Sequence, residues 1–332
     1  MSSPIFSVLL PAYNARKHIR RALSDITAQT FRDFEVVVVD DGSDDDTADI
    51  VNSVSDPRIR MIRLPENRGL VGALNAGLAA AKGKWIARQD ADDRCRPNRL
   101  ERQHQLISRN PNAVLFYSWA TLIDERGWWR GTLRPPVDDA GLRWDLCFRN
   151  PIPHTSAVFP TDLVRNEMGG YSGDNVTADF DLWSQLLRKG SAAGDNACLV
   201  SYRNHGSSIM GRENSSSEKR SNSGLREILL RNLCDWSGAS EADAERIAST
   251  WLAPAEAGWA GYFSLREKLA KGSTNQNAGL IAEEDYTLMH RALGVSVKCA
   301  ATMLSAIRSV CPARYAALPQ PRTVITRLVR GF

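Results

Sequence analysis

The sequence predicts an α/β protein, a doubly wound mixed sheet followed by a C-terminal helical region. Three observations carry that expectation. Strand-like and helix-like segments alternate four times between Phe6 and Asp90. The strand-like segments are apolar runs without in–out alternation, which means burial on both faces, as in a parallel sheet. Beyond Leu225 the pattern becomes helical and stays so.

Residues 6–10 form a short apolar strand stopped by Pro11. Asn14 can cap a helix whose apolar positions Ile19, Ala22, Leu23 and Ile26 fall at helical spacing, with Arg16, Lys17, Arg20 and Arg21 on its other face. Residues 34–39 are a second strand, β-branched through its middle, ending in Asp40-Asp41-Gly42-Ser43. A helix carrying Ala48, Ile50, Val51 and Val54 follows, then a strand over 59–64 and the polar loop Pro65-Glu66-Asn67-Arg68-Gly69. An Ala- and Leu-rich helix spans 70–81, with Gly83 just past its end. The fourth strand enters from Gly83 and runs into Gln89-Asp90-Ala91-Asp92-Asp93.

Pro97 suits the first turn of a helix reaching Ile107, which Asn110-Pro111 breaks. Residues 113–123 read as a long strand, Asp124-Glu125-Arg126-Gly127 as its hairpin turn and 128–133 as the returning strand. A helix over 139–148, a loop through Pro151-Ile152-Pro153-His154 and a short strand over 155–159 come next. Gly169-Gly170 opens a flexible loop through Val176. Asp179 then begins a helix with Phe180, Leu182, Trp183, Leu186 and Leu187, closed by Gly190. A last strand over 197–202 leads out through Arg203-Asn204-His205. Residues 211–224 are polar and read as a linker or mobile loop. Helices are expected at 225–233, 241–252, 258–269, 283–292 and 295–310.

Composition narrows the function classes. The chain has 332 residues, 43% hydrophobic and 24% charged, which is ordinary globular material with ample core. A net charge of +4 gives no whole-chain case for nucleic acid. The six cysteines are scattered without CxxC spacing and read as core thiols of a reducing compartment. Met1 is followed by Ser-Ser-Pro and a strand, so no signal peptide is expected, and no apolar run approaches a membrane span. The expected location is cytoplasmic.

The chemistry concentrates in acids at strand ends. Asp90, Asp92 and Asp93 crowd one turn, where like charges repel by a few kcal/mol per pair at about 4 Å and an effective dielectric near 20. By itself this stretch is equally consistent with a solvated turn and with a cation site. Asp40 and Asp41 end the second strand, and in a parallel sheet both acidic groups lie on one edge, where ligands of open α/β sheets bind. Hard oxygen ligands there suit Mg²⁺ or Mn²⁺ together with a nucleotide.

The ordered set Pro11-Ala12-Tyr13-Asn14, Val39-Asp40-Asp41-Gly42-Ser43, Asn67-Arg68-Gly69, Asn75-Ala76-Gly77, Asp90-Ala91-Asp92-Asp93 and Pro97-Asn98-Arg99-Leu100 resembles the inverting glycosyltransferases of family 2, of the bacterial surface-polysaccharide type, which have the GT-A fold. The resemblance covers about residues 4–206. It implies a catalytic domain over 1–210, with a nucleotide-binding half over 1–110 and an acceptor half over 111–210, then the polar segment 211–224 and the helical region 225–332. Pro11, Tyr13, Asn14, Asp40, Asp41, Arg68, Asp90 and Asp92 become donor-binding residues. Asp40 and Asp41 take the base and ribose, Asp90 the donor sugar or ribose, and Asp92 the Mn²⁺ or Mg²⁺ ion. The family's Glu-Asp pair at the start of the acceptor-side helix reads Ala178-Asp179 here. Asp179 is then the general base, with Asp181 its rival and a plain helix N-cap the structural alternative. His154, Arg203 and His205 fall where the family contacts acceptor or diphosphate, with a satisfied core histidine at 154 and a surface one at 205 as the structural alternatives.

The partners implied are a nucleotide-sugar donor, first of all a UDP-sugar, and a saccharide or lipid-linked acceptor. A nucleotidyltransferase also uses a metal and a doubly wound sheet, but normally has a Gly-rich basic loop where this chain has Pro11-Ala12-Tyr13-Asn14. A dinucleotide dehydrogenase lacks its GxGxxG at that turn. A nucleotide-sugar-binding module without catalysis is the third alternative, raised by Ala178. From Tyr286 to Phe332 there is no acidic residue, while seven arginines and lysines occur, among them Arg322, Arg327 and Arg330. That segment is expected to make peripheral contact with the inner face of the cytoplasmic membrane, or else to pack on protein.

Overall fold

The computed structural model describes residues 3–204 and 218–237, with a few positions between 240 and 248. The chain divides into two compact units, Met1–Leu142 with Asn150–Gly224, and Arg143–Arg149 with Leu225–Phe332.

The first unit is built on a mixed sheet. Strands β1 (Phe6–Ala12), β2 (Phe34–Asp40), β3 (Ile59–Arg63) and β4 (Trp85–Arg88) alternate with helices α1 (Ile19–Thr27), α2 (Thr47–Asn52) and α3 (Gly69–Ala80). They lie side by side as β3-β2-β1-β4, all parallel, with Ala12 beside Asp40 and Leu9 beside Arg88. The unbroken apolar runs of β1 and β2 are buried throughout except at Glu35, as their lack of alternation requires. Ile19, Ala22, Leu23 and Ile26 of α1 pack onto Phe6, Val8, Leu10, Val36 and Val38. Because the strands run parallel, their carboxyl ends share one edge.

The sheet continues antiparallel beyond β4. After β5 (Arg94–Cys95) and α4 (Arg99–Arg109) come the hairpin β6 (Ala113–Ile123) and β7 (Trp129–Leu133), α5 (Asp139–Leu146), β8 (Val158–Pro160), α6 (Ala178–Leu186) and β9 (Ser191–Arg203). The order extends as β4-β8-β6-β9-β5, with β7 on β6. Strand β6 runs antiparallel to β7 and β8 but parallel to β9.

Several expectations shift. Asn14 does not cap α1, which starts at Ile19 with no side-chain cap. It takes a left-handed conformation (φ 49°), which Asn tolerates, and its side-chain oxygen accepts from Asp44 N at 3.1 Å. The strand expected at 155–159 starts later, because His154–Ser156 form a 3-10 turn that puts Thr155 Oγ1 3.2 Å from Asp90 N. Strand β9 begins at Ser191 rather than 197. Gly194-Asp195-Asn196 looks like a loop in sequence but is a bulged stretch paired to β6, with Asp195 bound to Arg102 at 2.8 Å. The loop after Gly169-Gly170 is stapled to α3: Asn75 exchanges two hydrogen bonds with the Tyr171 backbone (2.8 and 2.9 Å), and Asn175 accepts from Val71 N (3.0 Å).

Helix α7 (Glu218–Ser237), which belongs to the second unit from Leu225 on, starts inside the segment read as a linker, since Glu218-Lys219-Arg220 are good helix formers. Ile228, Leu229 and Leu233 are buried there, Asn232 donates to Leu146 O at 2.8 Å, and Arg143 lies over the Trp236 ring. The helices expected at 258–269, 283–292 and 295–310, most of that at 241–252 and the basic tail lie outside the described residues. Among the described residues no helix is long and apolar enough to cross a membrane.

Gly77 shows how closely α3 sits on the sheet. A Cβ there would fall 2.2 Å from Leu9 Cδ1 and 2.9 Å from Val39 Cγ2. Gly77→Ala gains about 1 kcal/mol of helix propensity but overpacks the interface by about 1–3 kcal/mol. The expected result is a net loss of up to about 2 kcal/mol in urea unfolding; a stabilised variant would show that α3 moves freely off the sheet.

Candidate active site

Strand β2 delivers two buried acids to the shared edge. Asp40 Oδ1 accepts from Ser43 N at 3.1 Å, and Arg63 stands 3.3 Å from its other oxygen. Asp41 N donates back to Ala12 O, and Asp41 Oδ1 accepts from Arg68 N at 2.8 Å, at the start of α3. That bond satisfies a backbone donor that a helix start leaves unpaired. Gly42 is required here: it has φ +70°, and a Cβ on it would lie 2.7 Å from the Glu66 carbonyl carbon. Burial raises the Asp41 pKa, against the pull of the Arg68 and Gly69 N–H groups, and the Asp40 charge raises it further. Tyr13, Asn14 and the Arg68 side chain are exposed at this edge, while Pro11 is buried within β1.

Strand β4 delivers the second acidic group. Arg88 is fully buried and pairs with Asp90 Oδ1 at 2.6 Å. A second buried arginine, Arg99, donates to Gln89 Oε1 and to Arg88 O, both at 2.7 Å, and so fixes the strand end. The three acids of the turn have separate surroundings. Asp93 is buried and accepts from Arg203 N at 2.6 Å; burial, then the charges of Asp92 and Asp90, hold its pKa well above the usual carboxylate range. Asp90 and Asp92 are partly exposed. Burial raises the Asp90 pKa, Arg88 opposes this, and the Asp92 charge adds to it.

Among the described residues no three His, Cys, Asp or Glu side chains converge as a metal cage. A hydrated Mg²⁺ or Mn²⁺ ion needs none, since it takes one or two carboxylates and completes its shell from water and substrate phosphate. The repulsion between Asp90 and Asp92 is of the kind such an ion relieves, so the residues present fit the group.

Helix α6 brings the third component. Its N-terminal turn is closed by Asp174, which accepts from Val176 N and Thr177 N, so Asp179 is not its cap. Asp179 Oδ2 accepts from Asn150 Nδ2 at 2.9 Å and Oδ1 from Phe180 N at 2.7 Å. Burial pushes its pKa up to about 6, opposed by the Phe180 N–H, Arg88 and Asn150, and reinforced by Asp90. Asp179 therefore shares a field with Arg88 and Asp90. Asp181 faces elsewhere, bound to Ser172 Oγ and Gln185 Nε2, both at 2.7 Å. His154 is kept neutral by burial and by Arg88, and its Nε2 lies 3.0 Å from the Tyr171 hydroxyl. The Tyr202 hydroxyl pKa is raised by burial and by the charges of Asp90, Asp93, Asp179 and Asp92.

Arg203, an acceptor or diphosphate contact by the resemblance, is bonded within the chain here. Its buried guanidinium donates to the carbonyls of Asp92 (2.9 Å), Asp124 and Glu125 (both 2.8 Å) and so braces two turns. His205 lies outside the described residues.

The glycosyl transferase family 2 model matches residues 7–166. The putative teichuronic acid biosynthesis glycosyltransferase TuaG of Bacillus subtilis is 31% identical over 210 residues, which cover 60% of this chain and 79% of that one. The chain belongs to glycosyl transferase family 2. The fold of this family 2 glycosyltransferase is of the GT-A type. It is similar to S. aureus TarS 1–349, solved in complex with UDP-GlcNAc, with a TM-score of 0.61 and 17% identity over 100% of this chain and 92% of that one. It is also similar to the mannosyltransferase PcManGT of Pyrobaculum calidifontis, solved with GDP-Man and Mn²⁺, with a TM-score of 0.53 and 18% identity over 93% and 88% of the two chains.

Sequence reasoning on this glycosyltransferase missed Arg88, Asn150, Tyr171 and Tyr202. Arg88 carried a usable signal, a lone cation in an apolar strand that must be paired if buried. Asn150 and the two tyrosines carried none, because only the fold brings them to Asp179.

The raised Asp179 pKa has a consequence for stability. Its contribution is fully present below the unfolded value near 4 and is lost as pH rises through about 6. Asp179→Asn removes that penalty, although an amide cannot accept from both Asn150 and Phe180. The variant is expected to match the parent near pH 4 and to be about 1–3 kcal/mol more stable near pH 8 in urea unfolding. An equal gain at both pH values would separate the effect from this ionisation.

Proposed function

We propose that the enzyme is a metal-dependent, inverting glycosyltransferase of surface polysaccharide synthesis. It moves a sugar from a nucleotide-diphosphate sugar, first of all a UDP-sugar, to a hydroxyl of a saccharide or lipid-linked acceptor. The observation that carries this reading is Asp179, a carboxylate held by Asn150 and the Phe180 N–H at the start of α6, whose pKa burial pushes up to about 6. A general base works best with a pKa near the operating pH.

The donor's base and ribose lie at the edge that Asp40 and Asp41 shape by holding the Ser43 and Arg68 backbones, and its sugar lies against Asp90. Asp92 would hold Mn²⁺ or Mg²⁺, which when bound supplies charge neutralisation for the leaving diphosphate. Asp179 takes the acceptor hydroxyl's proton as that oxygen bonds to the anomeric carbon. The bond from that carbon to the diphosphate breaks on the opposite face, so the configuration inverts. Asn150 and the Phe180 N–H orient the carboxylate for this, and Asp90, held by Arg88, keeps the donor sugar across from it. The UDP-GlcNAc of TarS, the GDP-Man and Mn²⁺ of PcManGT and the teichuronic acid role of TuaG support the donor, metal and polysaccharide parts of the reading. Peripheral contact of the basic segment 286–332 with anionic lipid belongs to the same reading; those residues lie outside the described ones.

Turnover of UDP-sugars with release of nucleoside diphosphate tests the class, and pyrophosphate release would indicate nucleotidyl transfer instead. Asp92→Asn is expected to abolish Mn²⁺-dependent UDP binding in calorimetry and to leave the fold intact; metal-dependent binding at parent strength would remove Asp92 from the metal site. Asp179→Asn is expected to bind UDP normally and to lose transfer by about 10²–10⁴-fold, whereas Asp181→Asn changes little. The reverse pattern would move the base to Asp181.

A further inference from the structure

The β6–β7 hairpin ends in an exposed aromatic pair. Trp128 is 69% and Trp129 68% exposed, the largest exposures of any bulky hydrophobic side chain among the described residues. Burying a tryptophan on folding is strongly favourable, so two adjacent ones left in water call for a partner.

The turn that presents them is firmly built. Asp124 Oδ1 accepts from Arg126 N (3.0 Å) and Trp128 N (2.9 Å), Oδ2 pairs with Arg130, and Asp124 N donates to Trp128 O (3.0 Å). Arg203 then joins this turn to the acid turn, because one guanidinium reaches the carbonyls of Asp124, Glu125 and Asp92 while its backbone N–H holds Asp93. The base of the tryptophan-bearing tip and the backbone of Asp92 are thus separated by the width of a single guanidinium group. The hairpin is continuous with the edge of the active site.

We propose that Trp128 and Trp129 form an acceptor-binding rim on which a pyranose ring of the acceptor saccharide stacks. This inference rests on the transferase reading above and names the class of its second substrate. The apolar face of an indole matches the C–H face of a pyranose, and tryptophan offers large contact area at low conformational-entropy cost. The charges favour a carbohydrate over an anionic lipid surface. At the tip Asp124 and Glu125 balance Arg126 and Arg130, and Asp90, Asp92 and Asp93 lie just across Arg203, so no net positive charge draws the tip to such a surface. Arg203 is the positioning residue that keeps this rim in register with the acids.

The test uses the full chain with the indole N–H signals of Trp128 and Trp129 assigned by substitution. The probes are cellohexaose, mannohexaose and N-acetylchitohexaose, each added with UDP and Mn²⁺ present. At least one probe is expected to shift these two indoles saturably, with affinity weakened about tenfold or more in Trp128→Ala or Trp129→Ala. Both variants keep the turn, because the bonds to residue 128 are made by its backbone, and Mn²⁺-dependent UDP affinity is expected to stay at the parent value. Silence of both indoles with all three probes would overturn the inference. So would binding of the parent, lost in Trp128→Ala/Trp129→Ala, to phosphatidylglycerol–phosphatidylethanolamine vesicles, since the tip would then be a lipid contact. Failure of the parent to bind UDP would count against the transferase reading instead, which keeps the two failures apart.

Discussion

The pairing of Arg88 with Asp90 is the constraint around which the site is arranged. A guanidinium with no solvent exposure is costly unless it is paired and hydrogen-bonded. Here the compensation comes from carboxylates of the candidate site. Asp90 is bonded to it directly, and Asp179, on a helix 91 positions further along, is drawn toward its ionised form by the same charge. The cation keeps His154 neutral as well. Removing it would leave Asp90, Asp92 and Asp93 repelling one another at the end of a buried strand.

The acids of the site divide by exposure. Asp40, Asp41 and Asp93 are buried, and each accepts a backbone N–H, from Ser43, Arg68 and Arg203 respectively. They fix the turns. Asp90 and Asp92 share a turn built by those bonds and keep surface open to solvent. Crowding of five carboxylates at one sheet edge thus becomes a rigid inner layer and an accessible outer one, and the inner layer spares the outer one from having to order itself when a ligand arrives.

What was legible in the sequence follows from how local each signal is. The four parallel strands could be read because burial on both faces writes an unbroken apolar run, and their acidic ends could be placed on one edge because parallel strands leave no other arrangement. The hairpin turn at 124–127 was readable for the same reason, since its residues carry their own geometry. Asn14 misled because one side chain serves equally as a helix cap and as a left-handed turn residue, and only the neighbouring Asp44 and Ser43 decide between them. Strand β9 was shortened because Gly194-Asp195-Asn196 obeys loop chemistry, and the partner that makes it a strand, β6, is distant in sequence. Asp179 could be singled out from the family's pattern at a helix start, but the burial that raises its pKa, and the Arg88 and Asn150 groups that oppose the rise, come from other elements.

The reciprocal bonds between Asn75 and the backbone of Tyr171 imitate a strand pair with a side chain. Together with Asn175 on Val71 they tie the loop over 170–175 to α3 at two points, while the stretch from Ser172 to Asp174 between them is exposed. That arrangement makes the loop an exchangeable cassette. A sequence grafted between Tyr171 and Asp174 would inherit its entry and exit from α3. Recombination between relatives could then vary this loop's tip without retuning the parallel strands, provided α3 carries an amide at position 75, Gly170 keeps its φ of +93° and Asp174 stays to close the first turn of α6.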